Sequence, residues 1–278
     1  IRRFQDLIIG DNYMFGAVMM ENDNCRQLLE RVLEMPISRV EVIKEKSMIY
    51  HPECKGVRLD VYAKDEKNTH YDVEMQLLKR DALPKRSRYY HSQMDMELLA
   101  SGAKYEMLPN TYVIFICDFD PFSDEKYRYC FQNICRETGK ELGDGAGTIF
   151  LSTRGKNPDE VSEELVSFLE FVRAGQDGNS EVFEDTYVTR LQNTIRQIKE
   201  NRGKERQYMM WQDLIDDAKE EGRQEGCQNL LKGMLSSMGT LPDEVVQRID
   251  REKSLDQISA WARLAMDAKS LEDFIRRM

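Results

Sequence analysis

The chain has 278 residues, with 40 Lys and Arg against 50 Asp and Glu, so its formal net charge is −10. Its charged fraction of 32% exceeds the roughly 25% of an average globular protein and, with 41% hydrophobic residues, indicates long solvated helices around a core rather than disorder. The acidic balance disfavours a dedicated nucleic-acid coat protein, although an enzyme that touches DNA briefly needs only a local basic surface.

The apolar runs and the cysteines limit further which kinds of protein this chain can be. The longest apolar run, residues 112–117, is far shorter than the roughly 18 residues of a membrane-spanning helix, which excludes a membrane protein. Six dispersed cysteines without a Cys-x-x-Cys pair, and three histidines in all, argue against a thiolate-rich zinc site. We therefore expect reduced thiols and a cytoplasmic protein. The sequence starts at Ile1 without an initiator Met, so we expect that a short N-terminal piece is missing or was processed.

The first quarter of the chain predicts a helix followed by strands. Apolar residues recur at helical spacing over residues 24–34, and residues 39–43 alternate in the manner of a strand. Two stronger strand patterns follow at 57–64 and 70–77, separated by the polar turn 65–69. These two strands predict a β-hairpin.

The middle of the chain predicts a sheet with helices on both sides. A helical pattern covers residues 83–100, and residues 111–118 form a continuous apolar run that is typical of a strand covered on both faces. Further strands are predicted at 127–134 and 148–152, and a helix with Pro near its start at 158–173.

Beyond about residue 175 the sequence predicts helices alone. Residues 176–180 are typical of a hinge, and the charged stretch 190–225 predicts either a solvated helix or a flexible connector. The last stretch has three short amphipathic patterns. We therefore predict three parts: a core over 1–175, a charged helical connector over 176–229, and a small helical region over 230–278.

The predicted hairpin brings acidic side chains together. Side chains alternate between the two faces of a strand, so Asp72, Glu74 and Gln76 share one face. A turn centred on Lys67 sets Asp60 opposite Glu74, with Cβ atoms roughly 4.5–5.5 Å apart. Such a carboxylate pair suits Mg²⁺, which keeps several waters and binds substrate phosphate. The alternative is a solvated face on which these side chains simply meet water.

A basic segment follows the hairpin. Over residues 79–88, five basic side chains stand against one acidic side chain, a net charge of +4 that suits a polyanionic substrate. The residues concerned are Lys79, Arg80, Lys85, Arg86 and Arg88, with Asp81 opposing them. Arg86, Tyr89 and Gln93 fall on one helical face and could point together at a phosphate or a base. The alternative is an ordinary amphipathic helix.

These motifs resemble those of a known family. The segments are RLDVY (58–62), YDVEMQ (71–76) and RSRYYHS (86–92), together with DNYMF (11–15), GAKY (102–105) and YVIFI (112–116). Over about residues 4–175 the chain resembles the recombination-promoting nuclease and transposase-like family of the PD-(D/E)xK nuclease superfamily. No glycine-rich nucleotide loop or Gly-x-Ser-x-Gly turn points to ATPase or serine-hydrolase chemistry instead.

The resemblance implies a fold and an activity. The fold would be an α/β, restriction-endonuclease-like core, with a central mixed sheet flanked by helices, followed by an all-helical C-terminal region. The activity would be that of a DNA endonuclease that hydrolyses phosphodiester bonds with Mg²⁺, or with Mn²⁺ in its place. The resemblance also implies a setting in DNA recombination, mobile elements or phage defence, and a homodimer formed through the C-terminal helices.

The resemblance assigns roles to residues of the hairpin. Asp60 is the metal-binding aspartate, and Glu74 is the acidic residue of the E-x-K element. Gln76 stands where the superfamily usually has Lys; Gln can donate a hydrogen bond but carries no positive charge, so either the rate falls or Lys85 or Arg88 takes over this role. The DNA contacts are expected from Lys85, Arg86, Arg88, Tyr89 and Gln93.

Two further points stay open at this stage. Asp11 either approaches the site from the first helix as an additional metal or water contact, or caps that helix. The protein as a whole is either an active nuclease, free or restrained until triggered, or a non-catalytic descendant of the fold that binds DNA or a protein partner.

Overall fold

The computed structural model describes residues 2–44, 47–48, 57–79, 82–178, 183–268 and 270–278. The chain divides into two compact units, Ile1–Lys204 and Glu205–Met278. The three parts predicted from the sequence, with boundaries near residues 175 and 229, stay a prediction, because compactness alone does not test whether a part folds by itself.

The first unit is built around a mixed sheet. Across the described residues, six strands follow the order β1-β4-β5-β6-β8-β7, and β2 pairs separately with β3. The strands are β1 (Val40–Lys44), β2 (Ser47–Met48), β3 (Val57–Arg58), β4 (Val61–Asp65), β5 (His70–Gln76), β6 (Thr111–Cys117), β7 (Arg128–Phe131) and β8 (Ala146–Ser152). β6 pairs parallel with β5 and β8, and the other pairs in the sheet are antiparallel. This mixed sheet, with the helices below, confirms the predicted α/β class.

Helices occupy most of the remaining described chain. They are α1 (Asn12–Met19), α2 (Asn22–Leu33), α3 (Leu83–Leu98), α4 (Glu163–Asp177), α5 (Thr186–Glu200), α6 (Arg202–Ser236), α7 (Asp243–Arg251), α8 (Leu255–Asp267) and α9 (Leu271–Arg277). In the first unit α3 packs on β6, while α1 and α2 contact β1 and pack with α4 and α5. The predicted helices at 24–34 and 83–100 are therefore confirmed, and α1 adds a helix that periodicity alone did not indicate.

The central strand β6 is covered on both faces, as its continuous apolar sequence predicts. Val113 and Phe115 lie in a cluster with Tyr90 of α3. Ile114 and Ile116 point to the opposite face of the sheet and are equally buried. A strand that buries both faces needs an apolar residue at every position, which is why no alternation is visible here.

The hairpin of β4 and β5 has the predicted register but a shorter first strand. Val61 pairs with Val73 and Tyr62 with Asp72, which centres the turn on Lys67. The single predicted strand at 57–64 is wrong, because β3 ends at Arg58 and pairs with β2, and β4 begins only at Val61. At this break the Asp60 backbone N–H bonds to a side chain of β5 instead of a ladder carbonyl.

Three other predicted boundaries also change. The helix predicted from residue 158 begins with a separate 3₁₀ turn, Pro158–Glu160, and α4 starts later because Ser162 caps it by accepting a hydrogen bond from the Leu165 N–H. The strand predicted at 127–134 is reduced to β7. Gly178, at φ 73°, ends α4, and the rest of the predicted hinge, residues 179–180, lies outside the described residues.

The second unit has its own apolar core. Leu231, Leu235, Ile249, Trp261 and Phe274 are buried together where α6 to α9 pack. The three short helices predicted after residue 230 are thereby confirmed, and the charged stretch 190–225 is helical in α5 and α6. Among the helices that the structure describes, none has the length and apolar character required to cross a bilayer. The cytoplasmic location stays a prediction.

Candidate active site

The acidic face of the hairpin is buried beneath α3. In the parallel pair β5 and β6, Asp72, Glu74 and Gln76 lie beside Val113, Phe115 and Cys117, which are the β6 residues that face α3. The exposed fractions of Asp72, Glu74 and Gln76 are 0%, 1% and 7%. The alternative of a solvated acidic face is therefore wrong, because a helix covers it.

Asp60 and Glu74 are adjacent across the hairpin. The Asp60 backbone N–H donates to Glu74 Oε1 at 3.1 Å, and the Met75 backbone N–H donates to Asp60 Oδ2 at 3.3 Å. Each carboxylate is thus oriented by a backbone N–H from the other side of the hairpin. Asp60 is half-buried and Glu74 fully buried, so the pair combines one solvent-facing and one desolvated acid.

The first helix reaches this pair through a residue that sequence reasoning missed. Asn12, the first residue of α1, donates from Nδ2 to both Asp60 oxygens at 3.2 Å. Asp11 instead accepts hydrogen bonds at Oδ2 from Arg2 at 2.9 Å and from the Ile8 N–H at 2.8 Å, and it makes no side-chain capping bond to α1. The only sequence signal for Asn12 was its place in the motif DNYMF.

Arg86 enters the site from α3. Its NH2 group donates to Glu74 Oε2 at 2.5 Å, its NH1 group to Gln76 Oε1 at 3.2 Å, and its Nε to the Tyr90 hydroxyl at 2.5 Å. The Gln76 amide nitrogen donates to Glu74 Oε2 at 3.4 Å. Arg86, which the sequence assigned to DNA contact, is therefore the cation that touches both residues of the E-x-Q element.

The other predicted DNA contacts lie in different environments. Lys85 and Arg88 are exposed on α3, whereas Tyr89 is half-buried and packs against the core cluster. Gln93 is 5% exposed, so its side chain is part of the protein interior. Residues 80–81 of the predicted basic segment lie outside the described residues. Of this predicted set, Lys85 and Arg88 are the exposed members.

The site holds more buried negative charge than Arg86 balances. Burial, and then the Asp60 charge, raise the pKa of Glu74 to about 8, against a smaller opposing effect of Arg86. Burial, and then the Glu74 and Asp60 charges, raise the pKa of Asp72 well above its usual range. Both Asp72 oxygens lack a hydrogen-bond partner within the described parts of the chain. Such a site takes up either protons or a cation.

The donor set suits a divalent cation that keeps several waters. Among the described residues, no group of three or more His, Cys, Asp or Glu side chains is arranged around one ion. Two carboxylates suffice for Mg²⁺ when water and substrate phosphate complete its octahedron. A cavity of about 240 Å³ adjoins the pair and is lined by Asn12, Met75, Gln76, Leu77, Leu78 and Arg86. The excess negative charge and this opening fit the ion.

Comparison with known proteins identifies the family. No curated protein and no solved structure gives a significant match to the chain. The sequence model of a family described as PD-(D/E)XK nuclease family transposase matches residues 12–224, which is more than half of the chain and includes every contact described at the site from Asn12 to Arg86. The match supports a nuclease-like function, and PD-(D/E)XK nucleases generally use divalent metal ions. The resemblance of the motifs is thereby confirmed, and the chain belongs to the PD-(D/E)XK nuclease family of transposases.

Proposed function

We propose that this protein is a DNA endonuclease that hydrolyses phosphodiester bonds with Mg²⁺, or Mn²⁺ in its place, at Asp60 and Glu74. The observation that carries the proposal is that Asp60 and Glu74 are adjacent, with the Asp60 backbone N–H donating to Glu74 Oε1 at 3.1 Å. Burial and a raised pKa favour the protonated form of Glu74, and a divalent cation bound at the site would displace this proton.

Each residue of the pair has a defined part in holding the ion. Asp60 would bind the ion through its carboxylate oxygens, which the Met75 N–H and the Asn12 amide orient. Glu74 would bind the same ion from the buried side of the pair. A divalent cation held there supplies a Lewis acid that activates water and neutralises charge on the phosphodiester. A contact of Asp11 to the metal ion or its water remains a proposal. It would require the hydrogen bonds of Asp11 to Arg2 and to the Ile8 N–H to break.

The substrate is proposed to approach along α3. Lys85 and Arg88 are exposed there and suit the phosphate backbone of a duplex, and Tyr89 and Gln93 would act only indirectly through packing of the helix. A setting in recombination, mobile elements or phage defence, and a homodimer through the C-terminal helices, are proposed on family resemblance. Neither is required for the chemistry at Asp60 and Glu74.

The test is cleavage of supercoiled plasmid in Mg²⁺, Mn²⁺ or EDTA. We expect the wild type to nick or linearise DNA only with a divalent ion, and the isosteric variants Asp60→Asn and Glu74→Gln to lose this activity while remaining folded. Asp65→Asn is the matched control, because Asp65 is a buried carboxylate at the far end of the same hairpin that bonds Tyr71 and backbone N–H groups. Cleavage by Asp60→Asn and Glu74→Gln at the wild-type rate would remove the assignment.

A second candidate function follows from the Arg86–Glu74 ion pair. A neutral Gln76 and a Glu74 already paired with an arginine also suit a descendant of the fold that binds DNA or a protein without cutting. Calorimetry would then detect no divalent-ion binding, while DNA or partner binding would survive Glu74→Gln. Metal-dependent cleavage that this variant abolishes would exclude the second function.

A further inference from the structure

We propose that Arg86 is the phosphate-binding group of the site, and that it supplies there the positive charge that Gln76 lacks. The inference deepens the proposed function and rests on it for the cleavage readout alone. Its ligand is the anionic oxygen of a phosphodiester placed in the cavity between Asn12 and Arg86.

The Arg86 guanidinium is held in one position. Its carbon lies 4.9 Å from the centre of the Tyr90 ring and 5.7 Å from that of Phe115, within the range of cation–π attraction. The hydrogen bond from Arg86 Nε to the Tyr90 hydroxyl fixes the orientation of the guanidinium against these two rings. A charge that is fixed before the substrate arrives needs little reorganisation when it binds.

Arg86 still has donors to offer. A guanidinium has five N–H groups, and Tyr90, Gln76 and Glu74 each accept one of them. The remaining N–H on NH1 and the remaining N–H on NH2 bond to none of the described residues. With its side chain 30% exposed and on the wall of the cavity, Arg86 can give both to one phosphate group, the bidentate arrangement that arginine favours.

Gln76 is complementary to this arginine because it is neutral. Its Oε1 accepts from Arg86 while its Nε2 donates to Glu74, so the amide links the cation to the carboxylate. A lysine at position 76 would set an ammonium group against the guanidinium at hydrogen-bond distance, where like charges repel. The positive charge therefore belongs at either position 76 or position 86, and this chain has it at position 86.

The first experiment compares Arg86→Met, which keeps an apolar stem for the rings, with Arg173→Met. Arg173 is a suitable control because it also pairs with a carboxylate, Asp177, but on the exposed surface of α4. We expect Arg86→Met to lower the cleavage rate at saturating plasmid by at least about tenfold. We expect it also to raise the Mn²⁺ affinity in calorimetry by about tenfold, because a cation has left the side of Glu74. Arg173→Met should change neither.

The second experiment moves the positive charge from position 86 to position 76. Gln76→Lys alone should lower the rate, whereas Gln76→Lys added to Arg86→Met should recover it at least in part. A merely structural Arg86 predicts no such recovery, since a lysine at position 76 cannot rebuild the bond to Tyr90. Equal rates for Arg86→Met and wild type, or no recovery in the double variant, would overturn the proposal. If Arg86→Met fails to fold, Arg86→Gln replaces it, because it also removes the positive charge and keeps a hydrogen-bond donor at this position.

DNA binding in EDTA separates this inference from the nuclease assignment. If wild-type protein cuts no DNA, duplex binding followed against salt still tests Arg86, because the slope of log K against log salt falls by about 0.9 for each phosphate that the protein no longer neutralises. A slope reduced in Arg86→Met but not in Arg173→Met would support phosphate binding without cleavage. A slope that is unchanged in Arg86→Met would overturn the inference, whatever the plasmid gel shows.

Discussion

The side-chain amide of Asn12 donates to both carboxylate oxygens of Asp60 at 3.2 Å, and so connects the first turn of α1 to the break between β3 and β4. Because Asp60 lies outside a strand ladder, its carboxylate needs such partners to keep one orientation. Asn12 is thus a positioning residue for the proposed metal ligand.

Asn12→Ala should weaken divalent-ion binding, and with it cleavage, by about tenfold, the range found when partners of metal ligands are removed. Calorimetry with Mn²⁺ measures this directly. Asp11→Asn tests the metal contact predicted for the neighbouring residue: from its bonds to Arg2 and Ile8 we expect lower thermal stability and nearly normal Mn²⁺ affinity. A larger loss of affinity in Asp11→Asn than in Asn12→Ala would contradict the positioning role of Asn12.

The raised pKa of Glu74 predicts how stability depends on pH. The pKa is about 8 in the folded protein against an ordinary value of 4.5, so the folded state binds a proton that the unfolded state releases. This contribution is fully present below about pH 4.5 and is lost as pH rises to about 8. Without metal, we expect the free energy of unfolding to fall by up to about 3 kcal/mol from pH 5.5 to pH 8.

Thermal unfolding in EDTA across this pH range measures the effect. Glu74→Gln should flatten the profile, because the amide does not titrate. Added Mg²⁺ should restore stability most at the alkaline end, where the ion no longer competes with a proton. A wild-type profile that is flat between these pH values, or equal Mg²⁺ stabilisation at both ends, would contradict the raised pKa.

The hairpin shows what sequence can predict at this site. The alternation of residues and the polar turn are local features, and they were enough to predict the register that pairs Val61 with Val73 and so brings Asp60 next to Glu74. The break before Val61 was missed because the apolar alternation runs through it. It depends on a side-chain acceptor, Glu74, that replaces a ladder partner.

The contacts made by helices were not predictable in the same way. The pattern of α3 predicts a helix, but not that Arg86 faces the sheet and Gln93 is buried, since this depends on the angle at which the helix crosses β6. The bond from Asn12 to Asp60 joins residues 48 positions apart and depends on where α1 packs. Burial of Asp72 likewise follows from α3 lying over the face, which no local pattern encodes.

Asp72 should destabilise the metal-free protein. Its buried carboxylate has no hydrogen-bond partner among the described residues, and Glu74 and Asp60 add like charge. Asp72→Asn removes the buried charge and its repulsion from Glu74 and Asp60, so it should stabilise the protein at pH 8 in EDTA by roughly 1–3 kcal/mol. At about 2–4 °C per kcal/mol, the rise in Tm is readily measured.

The gain should shrink as pH falls, because burial and the neighbouring Glu74 and Asp60 charges raise the pKa of Asp72 and so favour its uncharged form at lower pH. Asp65→Asn provides the contrast. Asp65 is also buried, but its oxygens accept hydrogen bonds from Lys67, Thr69 and Tyr71, so its replacement should destabilise the protein. An Asp72→Asn variant that is less stable than wild type at pH 8 would indicate a partner for this carboxylate.

Lys85 and Arg88 should contribute to DNA binding through phosphates rather than bases. Both are exposed on α3, and neither is held by the rings that fix Arg86. The double variant Lys85→Ala/Arg88→Ala should weaken binding to all duplex sequences alike and lower the slope of log K against log salt by about 1.8, at about 0.9 for each phosphate that is no longer neutralised. Fluorescence anisotropy with two unrelated duplexes measures affinity and slope together.

Gln93→Ala completes this comparison, because the predicted DNA contact of Gln93 conflicts with an exposed fraction of 5%. Removing the buried Gln93 side chain should lower Tm, because it disturbs the packing of α3 against the protein interior. The slope of log K against log salt should stay at its wild-type value. A reduced salt slope in Gln93→Ala with unchanged Tm would mean that α3 rotates about its axis when the protein binds DNA. The exposed pair would then matter less than the face that carries Arg86, Tyr89 and Gln93, as the helical spacing of these three residues first indicated.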